Sequence, residues 1–235
     1  MSPAAIHASA AGIRTVLFDL DGTLLDTAPD LAAALNTVLR ENHRSVLPCE
    51  QIRPLVSHGG IALIRLGFDL EPGDPDFETR RRRLLEVYRE NLSVRTRPFP
   101  GMDELLHAIE TRGLNWGVVT NKPAWLTEPL LADLGLIQRA ACVVSGDTLE
   151  NRKPHPAPML HACTLAGSKP AECVYIGDAQ RDIEAGRNAG MHTVVALFGY
   201  FQEQDNPHAW DADTMINEPL DLLAWLDGRR HSALS

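Results

Sequence analysis

The sequence predicts a doubly wound α/β fold, a parallel sheet with helices on both faces, carrying an inserted α-helical domain after the first strand. Three observations predict it. Five short apolar runs are rich in β-branched residues and lack polar alternation, as strands covered on both faces do. Segments of helical period lie between the later runs, separated by short turns. The stretch 26–97 breaks that rhythm with helical patterns and no strand, which places the core at 1–25 and 98–235 and the helical insertion at 26–97.

The first strand is read over 15–20 (Thr-Val-Leu-Phe-Asp-Leu). Inside the insertion, helical patterns cover 31–40, 61–66 and 77–91. Its four-arginine run, Arg80 to Arg83, reads as a solvated helix face. A helix over 102–112 places Leu105, Leu106 and Ile109 on one side and stops at Gly113. After a strand over 115–120, Pro123 suits the first position of a helix running to Leu134 and ended by Gly135. Strands over 141–145, 173–177 and 193–197 alternate with helices over 156–166 and 179–189, each helix followed by glycine. The tail, 229–235, is read as frayed.

Composition narrows the function. The 235 residues hold 22 Lys+Arg against 31 Asp+Glu, a formal charge of -9 that repels nucleic acid and anionic membrane at long range. A small anionic substrate, which feels its local site, stays open. Only three basic residues are lysines, Lys122, Lys153 and Lys169, so each is a candidate for a site needing a compact point charge. Cys49, Cys142, Cys163 and Cys173 form no C-x-x-C pair or zinc spacing and read as reduced thiols. The start has no secretory pattern, and no stretch nears the roughly 20 apolar residues of a membrane span, so a soluble cytoplasmic protein is expected. The scattered aromatic residues mark no oligomer interface.

Chemistry concentrates where apolar runs end. Asp19 and Asp21 sit at the end of the first run, two residues apart, with Gly22 to turn the chain and Thr23 to offer a hydroxyl. Ligands of open parallel sheets bind beyond the carboxyl ends of the strands. Two carboxylates that close need a cation or proton between them. Asp178 ends another run and Asp182 follows four residues on, on the same helix face. Together these acids describe a hard-cation site of the kind Mg²⁺ uses. Thr120 and Asn121 precede a helix start, a phosphate seat, and Lys153 lies between a strand and a helix, where it can neutralise a carboxylate and a phosphoryl group.

Those four motifs, Asp19-Leu-Asp21-Gly-Thr, Thr120-Asn121-Lys122-Pro123, Lys153-Pro154 and Gly177-Asp178 with Asp182, resemble the haloacid dehalogenase-like superfamily along nearly the whole chain. The resemblance implies a Rossmann-like core, a helical cap and a Mg²⁺-dependent phosphatase working through an aspartyl phosphate. It implies Asp19 as nucleophile and metal ligand, and Asp21 as general acid/base whose carbonyl binds the metal. It further implies Asp178 as the second metal carboxylate, Asp182 as the second acid of that loop, and Thr120 with Lys153 as the phosphate-binding pair. Ser57, His58 and Gly59, before a cap helix, are candidates to bind substrate, their N–H groups meeting an anion or a sugar hydroxyl when the cap closes. The Val118 to Pro123 run resembles phosphoglycolate phosphatases. Gly199-Tyr200, Asp205-Asn-Pro207, Trp210 and Ala212-Asp213 are closer to bacterial N-acetylmuramic acid 6-phosphate phosphatases, the branch favoured here. A sugar phosphomutase shares the core motifs. A receiver module is half this length, and a dehalogenase normally lacks the second Asp of D-x-D.

Overall fold

A four-residue strand with every side chain buried belongs inside a sheet covered on both faces, and β1 (Thr15–Phe18) lies there. In the computed structural model, which describes residues 12–232, the chain leaves β1 along β2 (Leu25–Asp26). It then builds α1 (Ala28–Glu41), α2 (Cys49–Ile52), a 3₁₀ turn at Arg53–His58, α3 (Gly59–Phe68) and α4 (Phe77–Glu90). It returns through β3 (Arg97–Pro98), antiparallel to β2. Next come α5 (Met102–Thr111), β4 (Asn115–Val119), α6 (Ala124–Asp133), β5 (Val143–Val144), α7 (Ala157–Ala166) and β6 (Cys173–Gly177). The chain ends with α8 (Gln180–Asn188), β7 (His192–Ala196), β8 (Thr214–Ile216) and α9 (Asp221–Ser232).

Among the described residues the main sheet is six-stranded, parallel throughout, in the order β5-β4-β1-β6-β7-β8. Successive residues of β1 point to opposite faces. Val16 and Phe18 pack with Leu105 and Leu106 of α5, Leu130 of α6 and Leu222 of α9. Leu17 joins Met159 and Ala162 of α7 and Ala185 of α8 on the other face. Full burial of such a side chain stabilises the fold by roughly 1.5–3 kcal/mol. The expected doubly wound architecture is present.

In the helical segment, Leu35 and Leu39 of α1, Leu63 and Ile64 of α3, and Leu84 and Tyr88 of α4 share one apolar interior. Asp30 ties both of its ends together: only 2% exposed, it accepts hydrogen bonds from the Arg95 N–H at 2.9 Å, the Thr96 N–H at 2.8 Å and the Thr96 hydroxyl at 2.9 Å.

The differences from the sequence reading are local. The ribbon β2–β3 and the strand β8 escape it because two- or three-residue ladders are too short to show a period. β5 covers only Val143–Val144 of the expected 141–145, as an edge strand paired on one side. Pro123 and Pro156 stand just outside α6 and α7, at the cap position. α9 carries helix to Ser232, into the stretch read as frayed, while 233–235 and the start read as lacking a secretory pattern, 1–11, lie outside the described residues. All four cysteines are free thiols. Among the described residues no helix is long and apolar enough to cross a membrane.

Candidate active site

β1 sits between β4 and β6, so the loops leaving these three parallel strands emerge at one edge of the sheet. Asp19 and Asp21 come after β1, Thr120 to Lys122 after β4, and Asp178 after β6. Gly22 makes this possible. Its φ is +85°, and a Cβ there would lie 2.1 Å from Asp178 Oδ2.

Asp19 is 3% exposed. Its Oδ1 accepts the Leu20 N–H at 2.7 Å and lies 2.8 Å from the Lys153 ammonium. Lys153, 4% exposed, is also 2.7 Å from Asp182 Oδ1 and donates to the Tyr175 hydroxyl at 2.8 Å. That hydroxyl donates onward to the Val119 carbonyl at 2.7 Å. The Asn121 amide clamps the Lys153 main chain from both sides, at 3.1 Å to the carbonyl and 3.1 Å from the N–H. Asn121, expected at the substrate, lines the cavity between sheet and helical segment, and its side chain also holds Lys153 in place.

Asp19, Asp178 and Asp182 each bring a carboxylate oxygen within 4.8 Å of the others, all three buried. Lys153 is the one ammonium in their midst and the Arg181 guanidinium also acts on them, but three buried carboxylates still favour a further cation or proton. Asp178 shows the strain: its carboxyl is pushed up to about 8, first by burial and then by Asp19 and Asp182, against the pull of the Tyr200 N–H and the Ser57 hydroxyl. Asp182 is raised as well, chiefly by burial, with Lys153 opposing. An all-oxygen set of this kind fits a hard divalent cation. The raised carboxyl makes stability depend on pH. Between the unfolded aspartate value near 3.9 and about 8, the folded metal-free chain holds a proton that the unfolded chain lacks. Stability therefore falls as pH rises through that window and levels off above it. Thermal melts in chelator are expected to show Tm dropping from about pH 5 to about pH 8, and added Mg²⁺ to raise Tm most at the upper end. A Tm indifferent to Mg²⁺ at every pH removes the cation site.

Asp21 stands apart from that cluster. Its Oδ1 accepts the Thr27 hydroxyl at 2.6 Å and the Lys122 ammonium at 2.8 Å. Lys122 also donates to the Tyr88 hydroxyl at 3.0 Å. Thr120 is buried, and its hydroxyl accepts the Lys122 N–H at 3.2 Å.

The helical segment closes over these residues. Ser57, expected to bind substrate, places its hydroxyl 2.8 Å from Asp178 Oδ2 and 3.1 Å from the Asp21 carbonyl, so it touches the acidic cluster itself. Arg181 holds it there, donating to the Ser57 carbonyl at 2.6 Å. His58 lies 2.8 Å from the Gln202 side-chain nitrogen, and burial followed by Arg181 holds its imidazole below the usual range. Gly59 ends the 3₁₀ turn at φ +73°, a value that favours glycine.

Between the two layers lies a cavity of about 550 Å³. Asp19, Asp21, Thr120 and Lys122 line its floor, and Ser57, His58 and Gly59 its side. Leu85, Ile61 and Trp125 supply an apolar wall, and Arg81 a cation. The sequence reading missed Tyr88, Arg81 and Trp125 here. Helical period marks Tyr88 as core, while Arg81 sits in a run whose neighbours do face outward: Arg83 pairs with Glu41 at 2.7 Å and Arg82 is exposed. Nothing local separates Arg81 from them.

The chain matches the model of the family described as haloacid dehalogenase-like hydrolase over residues 16–196. It is 44% identical over 206 residues to the phosphoglycolate phosphatase of Xylella fastidiosa, covering 88% of this chain and 90% of that one. It is 41% identical over 215 residues to the N-acetylmuramic acid 6-phosphate phosphatase of Pseudomonas putida, covering 92% and 96%. Among solved structures, that of a predicted phosphoglycolate phosphatase from Haemophilus somnus superposes with a TM-score of 0.81 at 27% identity, covering 94% of this chain and 99% of that one.

Proposed function

This chain belongs to the haloacid dehalogenase-like hydrolases and is a phosphatase of that family, and on that premise we propose that it hydrolyses a small phosphate monoester through an aspartyl phosphate on Asp19. The observation that carries this reading is the state of the two carboxylates. Among the described residues, the polar contacts to the carboxylates of Asp19 and Asp21 fall on Oδ1 in both cases. Each acid keeps Oδ2 for chemistry.

Asp19 Oδ2 attacks phosphorus, forming the acyl phosphate as the bond to the ester oxygen breaks. Asp21 gives a proton to the leaving oxygen. It then takes one from the water that attacks the acyl phosphate, releasing inorganic phosphate and freeing Asp19. Such proton transfers contribute roughly 10²–10⁴-fold. Lys153 and Thr120 offset charge on the phosphoryl oxygens, where most catalysis of this reaction lies. Asp182 acts through Lys153. The carboxylates of Asp19 and Asp178 and the carbonyl of Asp21 would hold Mg²⁺, which would supply further positive charge to the phosphoryl transfer. Residues 26–97 serve as the cap over a core to which, among the described residues, 12–25 and 98–232 belong.

For the substrate, the cavity supports the larger ester. A cavity of about 550 Å³ falls within the roughly 300–1,000 Å³ of small-molecule sites. Phosphoglycolate, a two-carbon acid, would leave much of it wet. N-acetylmuramic acid 6-phosphate offers a sugar face for Trp125 and a lactyl carboxylate for Arg81. Arg81 Nε is buried with no acceptor among the described residues; its Nη1 pairs outward with Glu78 at 3.2 Å. Phosphoglycolate remains the second reading because its named phosphatase is the 44% relative.

Phosphate release from N-acetylmuramic acid 6-phosphate, phosphoglycolate and glucose 6-phosphate, with Mg²⁺ or chelator, tests this. The first ester is expected to react fastest, and only with Mg²⁺. Arg81→Ala is expected to raise its KM by roughly 10-fold or more, the loss of one charged hydrogen bond, while changing phosphoglycolate turnover little. Sugar phosphate isomerised without phosphate release would make the protein a mutase, and no release from any ester would overturn the proposal.

A further inference from the structure

We propose that Lys122 and Tyr88 are positioning residues for Asp21, and that the helical segment controls the acid/base carboxylate through Tyr88. The inference rests on the acid/base role proposed for Asp21.

The chain keeps only three lysines, and two of them are buried against the two carboxylates that follow β1. Lys153 lies 2.8 Å from Asp19 and donates to Tyr175 at 2.8 Å, its ammonium 5.4 Å from that ring's centre. Lys122 repeats the arrangement: 2.8 Å from Asp21, 3.0 Å from the Tyr88 hydroxyl, and 4.6 Å from that ring's centre. A compact ammonium with three rotatable donors can serve a carboxylate and a phenol oxygen at once.

The two Tyr–Lys–Asp units differ in one respect. Tyr175 belongs to β6, inside the sheet. Tyr88 belongs to α4, in the helical segment, and is fully buried there. The first unit is therefore internal to the core, while the second is complete only with α4 seated against it. The Lys122 side chain is 6% exposed, so burial works against its charge. Asp21 and Tyr88 are its polar partners there, at 2.8 and 3.0 Å. Lifting α4 takes away one of those partners and lets water reach the ion pair.

The consequence falls on Asp21. Thr27 and Lys122 both donate to Oδ1, which leaves Oδ2 to carry the transferable proton. As that proton passes to the leaving oxygen and the phosphorus–oxygen bond breaks, negative charge grows on the carboxylate beside the Lys122 ammonium. The site is thus fully assembled for acid catalysis when the helical segment covers a substrate.

Leaving-group dependence tests this, because kcat/KM reports the steps up to the first irreversible one. An alkyl phosphate needs its leaving oxygen protonated, whereas p-nitrophenyl phosphate does not. Tyr88→Phe keeps the ring, and its Tm is expected to stay within a few degrees of the wild type. It is expected to lower kcat/KM for the preferred alkyl ester by about 3- to 10-fold while leaving p-nitrophenyl phosphate within 2-fold. Lys122→Met is expected to show the same selectivity at about 10-fold or more. Asp21→Asn, selective in the same sense, is the reference. If Asp21→Asn is selective and both other variants slow the two esters alike, Lys122 and Tyr88 are structural only and the proposal fails. If Asp21→Asn is itself unselective, the acid/base assignment falls and this inference with it.

Discussion

Asp19→Asn is expected to lower kcat for phosphate-ester hydrolysis by roughly 10⁴-fold or more, because the amide cannot form the acyl phosphate and the remaining groups only bind and polarise the ester. Its stability should move the other way. Asp19 is one of three buried carboxylates within 4.8 Å of one another, so removing its charge relieves repulsion, and Lys153 keeps Asp182 at 2.7 Å. Tm in chelator is expected to equal or exceed that of the wild type. The partner variant is Asp21→Asn, which retains the nucleophile but lacks the base for breakdown. Intact-mass measurement after rapid acid quench should find a phosphoryl adduct on Asp21→Asn and none on Asp19→Asn. An adduct on Asp19→Asn, or near-wild-type turnover by it, would falsify the nucleophile assignment.

Lys153→Met carries the largest stability effect. The substitution leaves Asp19 and Asp182, which are 3% and 0% exposed, without their shared cation. Breaking a buried pair on one side costs about 3–5 kcal/mol. For a chain of this size each kcal/mol shifts Tm by roughly 2–4 °C, so a fall on the order of 10 °C is expected. Adding Asp182→Asn removes one of the stranded charges and should return a large part of that loss. Activity should not return, since no ammonium then faces the phosphoryl oxygens. A double variant no more stable than Lys153→Met would show that the site's charges do not set its stability.

The sheet and its helices were legible because burial on both faces leaves an uninterrupted apolar run and burial on one leaves a 3.6-residue period. The position of the site was legible for a related reason. Asp19, Thr120 and Asp178 each stand at the end of such a run, and parallel strands deliver their carboxyl ends to one edge. Ser57 was marked as a cap residue facing the site, but not as a neighbour of Asp178, because its loop and that acid are 121 positions apart. Asn121 was assigned to substrate by its motif, and only the fold shows its amide taken up by the main chain of Lys153. Arg81 was hidden among identical neighbours.

The formal charge of -9 and the scarcity of lysine therefore acquire their meaning in stages. From the sequence alone come the α/β core, the helical insertion, the strand-end acids and the two lysines among the motifs, all properties of single segments and their periods. The tertiary structure alone decides which lysine meets which aspartate, that Tyr88 reaches Lys122 from α4, and that Arg81 and Trp125 share a cavity of about 550 Å³ with Asp19. Those are contacts between segments distant along the chain, and a local pattern records that a residue is buried without recording what it is buried against.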